Sequence, residues 1–341
     1  MQSDQIVISS RNTTKRRQEL LWLLVGLLVV FAVSLFLGRY PQIMIMTPDR
    51  LAHDELARRL VLNIRLPRLL TGIMLGMSLA AAGVVFQMLF SNPLVEPGFL
   101  GVSQGASFGA AMCIVFFANK AWAIQTSAAG FALLGLALSY FLAKRIRYGG
   151  WVLRLVLAGI AVSALFSAGL GIIKYLADPL SQLPEITFWL LGGLWSVTWK
   201  QMLSILPAVL IGLYVASRMR WRLNLLSLND ETSFSLGAAP GRERTLLLLS
   251  SVLATAAVTS VAGMVGWTGL IVPHIARRVF GADGRYVLPG SMLLGAIFTL
   301  ICDDLARLLL AGEIPLGIFT SLIGATVFMI LMMRQTKAYV K

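Results

Sequence analysis

The residues that could do chemistry are few, and most stand alone. Asp303, Asp304 and Arg307 lie inside a long apolar run, where a lone charge is costly, so they must pair or face a cavity. Asp303 and Arg307 are spaced i, i+4, the separation at which opposite charges on a helix neutralise each other. Arg65-Leu66-Pro67-Arg68 opens another apolar run. Its arginines share a helix face, and Pro67 suits a first helical turn. His53 and His274 are far apart and the carboxylates are scattered. Neither a Ser/His/Asp set nor His-Glu-x-x-His occurs, so intramembrane hydrolysis has no support. A carrier of bare transition-metal ions would need His, Cys or carboxylate ligands in its spans. Almost none are present, and neither a catalytic residue nor a metal ligand is expected. Cys113 and Cys302 sit in apolar runs and read as packing residues. No lysine follows a glycine, so the phosphate-binding loop GxxxxGK[ST] is absent.

The elements that position these residues are set by composition. Of 341 residues, 57% are hydrophobic and 13% charged, with a mean hydropathy of +0.81. A soluble domain carries about 25% charge, so a globular cytosolic enzyme is excluded. Disorder is excluded by the apolar content, and collagen by the absence of a glycine triplet period. A bilayer crossing needs about 20 apolar residues. Such runs occur near 20–38, 66–90, 99–118, 122–143, 151–176, 201–217, 245–265, 287–311 and 314–333. A shorter stretch, 267–281, contains Pro273 and spans only with help from neighbours, while 186–197 reads as an interfacial helix. The first run outlasts a signal-peptide core of about 7–15 residues and lacks a cleavage site, so it reads as an uncleaved span. The expected fold is an all-α polytopic membrane protein of about ten transmembrane helices over 20–334, with tails at 1–19 and 335–341. Glycine pairs such as Gly72/Gly76 and Gly105/Gly109 point to close helix packing.

The net charge of +14 does not imply nucleic acid, because the basic residues fall in short gaps between apolar runs. With ten spans, 19 of the 29 Lys and Arg fall on one side, which places both termini in the cytoplasm. The exception is the stretch from Arg39 to Arg68, with six cations on the outer side. There Arg65 and Arg68 fit a docking patch for an acidic external partner. The longest cytoplasmic loop, 218–244, carries Leu225, Leu228, Phe234, Leu236 and Gly237 in short amphipathic stretches of the kind that press into a cytoplasmic partner. A faint repeat at an offset of 180 residues aligns Ala82-Gly83-Val84-Val85 and Pro93 with Ala262-Gly263-Met264-Val265 and Pro273, as in an inverted-repeat transporter.

Several motifs in register resemble the iron-chelate and cobalamin permease family of bacterial ABC importers. They are Arg65-Leu66-Pro67-Arg68; Asn92-Pro93-Leu94-Val95-Glu96-Pro97-Gly98-Phe99-Leu100-Gly101; Gly269 to Arg277; Asp303-Asp304-Leu305-Ala306-Arg307; and Glu313-Ile314-Pro315-Leu316-Gly317. The resemblance covers 20–334. It implies a homodimer of ten-helix subunits in the bacterial inner membrane around a central path. Two cytoplasmic ATPase subunits would grip the 218–244 loop, and a periplasmic substrate-binding protein would deliver cargo. ATP and magnesium then belong to the ATPase, and this chain itself is expected to bind no cofactor and to be no enzyme. By the same resemblance Arg65, Arg68 and Arg307 face the binding protein, and Asn92, Pro93 and Leu94 form the cytoplasmic gate. The sequence departs from the family's pattern at Gly149-Gly150-Trp151 and Asp283-Gly284-Arg285. The expected cargo is a metal chelate: ferric siderophore, heme or cobalamin. The alternatives are an oxyanion such as molybdate, and an ion-gradient-driven secondary transporter.

Overall fold

The computed structural model describes the backbone of residues 2–39, 44–46, 53–117, 120–310 and 312–339. Side chains are described for those between 14 and 333, apart from 44 and 45. The basic tail residues Arg11, Arg334, Lys337 and Lys341 lie outside the described side chains.

With no water in hydrocarbon, an apolar run satisfies its amides and carbonyls only by coiling on itself. The runs accordingly become helices: α1 (Gln2–Phe36), α2 (Glu55–Leu89), α3 (Val102–Phe116), α4 (Ala121–Arg145) and α5 (Trp151–Leu176). After α6 (Gln182–Leu191) and α7 (Trp199–Arg218) come two short helices, α8 (Arg222–Leu226) and α9 (Asp230–Ser235). The last four are α10 (Pro240–Ala262), α11 (Thr268–Phe280), α12 (Gly284–Leu308) and α13 (Leu316–Tyr339). Among the described residues, eight helices are long and apolar enough to cross a membrane. The shorter α3 and α11 occupy the two remaining expected runs. A two-residue antiparallel ladder, Leu37 opposite Ile45, follows α1.

Three local expectations change. Pro67 lies in the first turn of the α-helical segment Leu66–Leu89, as expected, but helix does not start there: α2 begins at Glu55 and passes through a π-helical turn, Val61–Arg65, where the Leu66 amide donates to the Val61 carbonyl. A proline inside a helix cannot donate, and its ring crowds the carbonyl four residues back. The widened turn just before Pro67 relieves that conflict. At about 1.5 Å per residue, α2 outreaches the roughly 30 Å hydrocarbon core, so its first turns project beyond the hydrocarbon, with Ala57 and Val61 packed on Met46 and Leu35. Secondly, the expected interfacial helix spans Gln182–Leu191 and stops at Gly192, whose φ of +66° lies in the left-handed region that favours glycine. Thirdly, the faint repeat is one of letters only. Residues 82–85 are mid-helix in α2, whereas Ala262 ends α10, Gly263 has φ +68° and 264–265 are not helical.

The core sits around α2. Its membrane window is 78% buried, against 11% for α1, which lies at the rim. α2 packs along α12, and α10 wedges against α2, α4 and α7. A second layer forms where α3 packs on α4 and α5. The α2–α12 contact is backbone on backbone: a Cβ on Gly76 would lie 2.1 Å from the Gly295 carbonyl oxygen, and one on Gly295 would lie 2.3 Å from that of Gly76. Gly76→Ala and Gly295→Ala are therefore expected to destabilise the bundle by about 1–3 kcal/mol each, the usual cost of overpacking. Gly130→Ala, at a site with nothing within 4 Å, is expected to be neutral or stabilising. Thermal unfolding of the three variants in detergent reads the difference.

Candidate functional site

One end of the bundle is closed by charge. Arg68 on α2 donates Nε and Nη2 to the Asp303 carboxylate and Nη1 to both oxygens of Glu313, all between 2.9 and 3.1 Å. Asp303 is fully buried and Arg68 is 6% exposed. Arg307 pairs with Asp304, donates to the Ser34 carbonyl at 2.7 Å, and lies 3.9 Å from Asp303. The Ser34 hydroxyl donates to Asp304 at 2.5 Å, and Arg65 donates to the carbonyls of Leu35 and Phe36 at 3.0 and 3.2 Å. Together these bonds tie the end of α1 to α2, α12 and the segment before α13. Removed from water, such ions hold together only with this kind of saturated geometry.

The three arginines of the expected docking patch sit inside this network. Arg65, Arg68 and Arg307 are all buried, and their donors are turned onto carboxylates and carbonyls of the same chain. They do not present a bare cationic face. The i, i+4 pairing of Asp303 with Arg307 is the weaker contact; the main partner of Asp303, Arg68, lies 235 residues away. The projecting turns of α2 carry two exposed cations, Arg58 and Arg59, with Arg59 paired to Glu55 at 2.6 Å.

In mid-bundle the helices break, and the breaks serve one another. The Gly193 amide donates to the Ala262 carbonyl at 2.7 Å, and the Met264 amide to the Trp189 carbonyl at 3.5 Å, joining the ends of α6 and α10. Beside them a cavity of about 370 Å³ is bounded by Leu79, the turn Glu96–Phe99, Ser103 and Gln104, Ser163, Thr255 and Thr259, and Met264–Gly266. Its surface is mainly apolar with hydroxyls, one amide and one carboxylate, Glu96. Among the described residues no three His, Cys, Asp or Glu side chains converge as metal ligands. Gln87, buried in α2, donates to the carbonyls of Leu270 and Gly269 at 3.2 and 3.4 Å and accepts from Arg277, so α2 and α11 are locked next to this space.

The opposite end brings two expected elements together. In the turn after α2, the Asn92 side chain accepts from the Leu94 amide at 2.9 Å, and Asn92, Pro93 and Leu94 are all exposed. Ser91, at φ +48°, donates its hydroxyl to the Ser227 carbonyl at 3.3 Å, which sets this turn against the α8–α9 pair. Leu223 and Leu226 anchor α8 in the core, and Asn229 caps α9 through the Thr232 amide at 2.9 Å. That leaves Leu228, Phe234 and Leu236 exposed, Phe234 at 73%, with Gly237 closing the turn at φ +80°. Leu225 departs from expectation: it is half-buried and packs on the core. Asn224 bonds both the Asp283 carboxylate, at 2.9 Å, and the Gly284 amide, at 2.8 Å, fixing α8 to the start of α12. Burial works against the Asp283 charge, but hydrogen bonds from Arg285 and Asn224 prevail and hold its carboxyl down at about 2.

Gln87, Ser34 and Arg244 escaped the sequence reading, and Glu96 and Glu313 entered it only as letters of a motif. Gln87, Ser34 and Glu313 have partners far along the chain; the one local signal is a polar side chain interrupting an apolar run, as at Gln87.

The chain is similar in sequence and fold to known proteins. Residues 23–334 match the FecCD transport family. The chain is 37% identical over 313 residues to the molybdate import system permease protein MolB of Haemophilus influenzae, covering 89% of this chain and 92% of that relative. It is 40% identical over 282 residues to the hemin transport system permease protein HmuU of Yersinia pestis, covering 80% and 83%. It is also 38% identical over 306 residues to a probable iron chelatin transport system permease of Helicobacter pylori, covering 88% and 91%. A solved structure of a metal-chelate type ABC transporter in an inward-facing conformation matches with a TM-score of 0.86 at 34% identity, covering 93% of this chain and 99% of that one. The chain belongs to the FecCD transport family.

The charge-closed end makes a sharp expectation. Asp303→Asn leaves the buried Arg68 short of its main counter-charge and is expected to cost about 3–5 kcal/mol, whereas Arg68→Met combined with Asp303→Leu costs much less. Unfolding midpoints of the single and double variants check it; equal losses in both would contradict the buried-pair account.

Proposed function

We propose that this chain is the permease subunit of an ATP-driven importer that carries a metal chelate, such as a ferric siderophore, heme or cobalamin, from periplasm to cytoplasm by alternating access. The observation that carries this reading is the match to ABC importer permeases along nearly the whole chain. It is a multi-pass protein of the inner membrane, and in this reading both termini are cytoplasmic. The chain has no GxxxxGK[ST] loop, so ATP and magnesium are assigned to a separate ATPase pair. The α8–α9 pair, with Leu228, Phe234 and Leu236 exposed, is the surface that the ATPase grips. The adjoining turn Asn92–Pro93–Leu94 is the inner gate, because the Ser91–Ser227 contact links it to that grip.

Phe99 and Ile160 line the central cavity and are also exposed, so it opens at the edge of the chain. A second copy on a twofold axis would close it into a path. At the outer end the binding protein meets the projecting turns of α2 with Arg58 and Arg59, while Arg65, Arg68 and Arg307 hold α1, α2 and α12 in register beneath.

A second reading, an oxyanion cargo, is favoured by the relation to MolB, a molybdate import permease. The cavity favours the chelate: its walls are mainly apolar, as an organic ligand needs, and no Lys, Arg or His lines it to hold a dianion. Equilibrium dialysis of the companion binding protein against ferric chelates, heme, cobalamin and molybdate separates these cargoes. For the coupling surface, burying a large apolar side chain contributes about 1.5–3 kcal/mol. Phe234→Asp with Leu236→Asp is therefore expected to weaken ATPase binding about 100-fold or more. Co-purification measures it, and a fully retained ATPase would contradict the assignment.

A further inference from the structure

A second cavity, of about 200 Å³, lies where the end of α4 and the starts of α5 and α10 meet the α8–α9 pair. Three cations line it, Lys144, Arg154 and Arg244, against one carboxylate, Asp230. Arg244 is 6% exposed and has most of its donors engaged: Nη1 to Asp230 at 2.5 Å, Nη2 to the Leu226 carbonyl at 3.1 Å, with its guanidinium 4.5 Å over the Trp151 ring. Its Nε is nevertheless buried without an acceptor, and so is the Nε of Arg154. Arg154 otherwise reaches only the Ile146 carbonyl, at 3.5 Å, and Lys144 rests 4.6 Å over the Tyr140 ring.

Two buried guanidinium donors lacking acceptors are costly, and they sit in a space with net positive lining. The first turn of α5, which has neither a side-chain cap nor an acidic residue, adds the positive end of a helix. The one carboxylate of the lining, Asp230, is taken up by Arg244, which leaves Lys144 and Arg154 without an anionic partner there. The cavity lies at helix ends, the depth of lipid headgroups for spans that cross the bilayer. Exposed apolar side chains adjoin its lining in sequence, Phe141, Leu153 and Leu246 among them. Basic pockets between helix ends are where anionic lipid phosphates bind.

We propose that this cavity binds a phosphate group through Lys144 and Arg154, with the buried Arg244 guanidinium adding positive charge behind them, supplied by an anionic phospholipid headgroup or by a soluble phosphate. Nothing in the transport reading requires it, so the two stand or fall separately.

The test uses the full-length chain in nanodiscs of phosphatidylcholine alone, phosphatidylcholine with phosphatidylglycerol, and phosphatidylcholine with added inorganic phosphate. The readouts are the thermal unfolding midpoint and the lipid retained in native mass spectrometry. Stabilisation by phosphatidylglycerol assigns a lipid headgroup; stabilisation by inorganic phosphate without lipid preference assigns a soluble phosphate. Lys144→Gln removes an exposed side chain and leaves the fold untouched, and it should weaken binding by itself. With Arg154→Gln added, two charges are lost and the loss should reach about 30-fold. No stabilisation of the parent chain by either phosphate source overturns the proposal, as does stabilisation that survives in both variants.

Discussion

Hydrocarbon gives a peptide group nothing to bond with, so a membrane chain can leave the helix only where its own atoms replace water. Here the departures at 192–197 and 263–267 meet inside the bundle, with Gly193 bonded to Ala262 and Met264 to Trp189. The central cavity lies against these breaks, and Met264–Gly266 is part of its wall. The same backbone that frees itself from regular pairing supplies a surface that cargo can touch. A bundle of unbroken helices would have packed shut along α2.

The rule for the backbone extends to charge, and it makes the two ends of the molecule differ. At one end each buried guanidinium is matched from within the chain: Arg68 by Asp303 and Glu313, Arg307 by Asp304 and Ser34, Arg65 by Leu35 and Phe36. That end behaves as a clasp on α1, α2 and α12. The other end offers apolar side chains to solvent on α9 and just after it, held in place by Asn224, Asp283 and Arg244. With the proposed coupling surface at the other end, such a clasp would let a force applied there tilt helices about the cavity.

Much of this was legible in the letters. The ten apolar runs, the isolation of Asp303, Asp304 and Arg307, and the exposed apolar residues Leu228, Phe234 and Leu236 follow from hydropathy and local spacing. What stayed hidden depends on contacts between distant segments. Sequence spacing pairs Asp303 with Arg307 four residues on, yet the fold gives it Arg68 from another helix. The charge rule tells which side of the membrane the arginines occupy, while their depth within the protein and their partners are set by distant segments. Pro67 looked like a helix start because the charged residues before it hide a helix that continues through a π-helical turn. The repeat misled because four shared letters sit in a helix at one site and at a helix end at the other.

The central claim is that this chain is a passive route whose movement is powered elsewhere. Uptake of a labelled chelate into proteoliposomes holding the chain, its ATPase and its binding protein tests it most directly, with ATP supplied inside or withheld and with an imposed sodium or proton gradient. The account predicts accumulation only with ATP and all three components, and none from either gradient. Gradient-driven accumulation by the purified chain alone would contradict it.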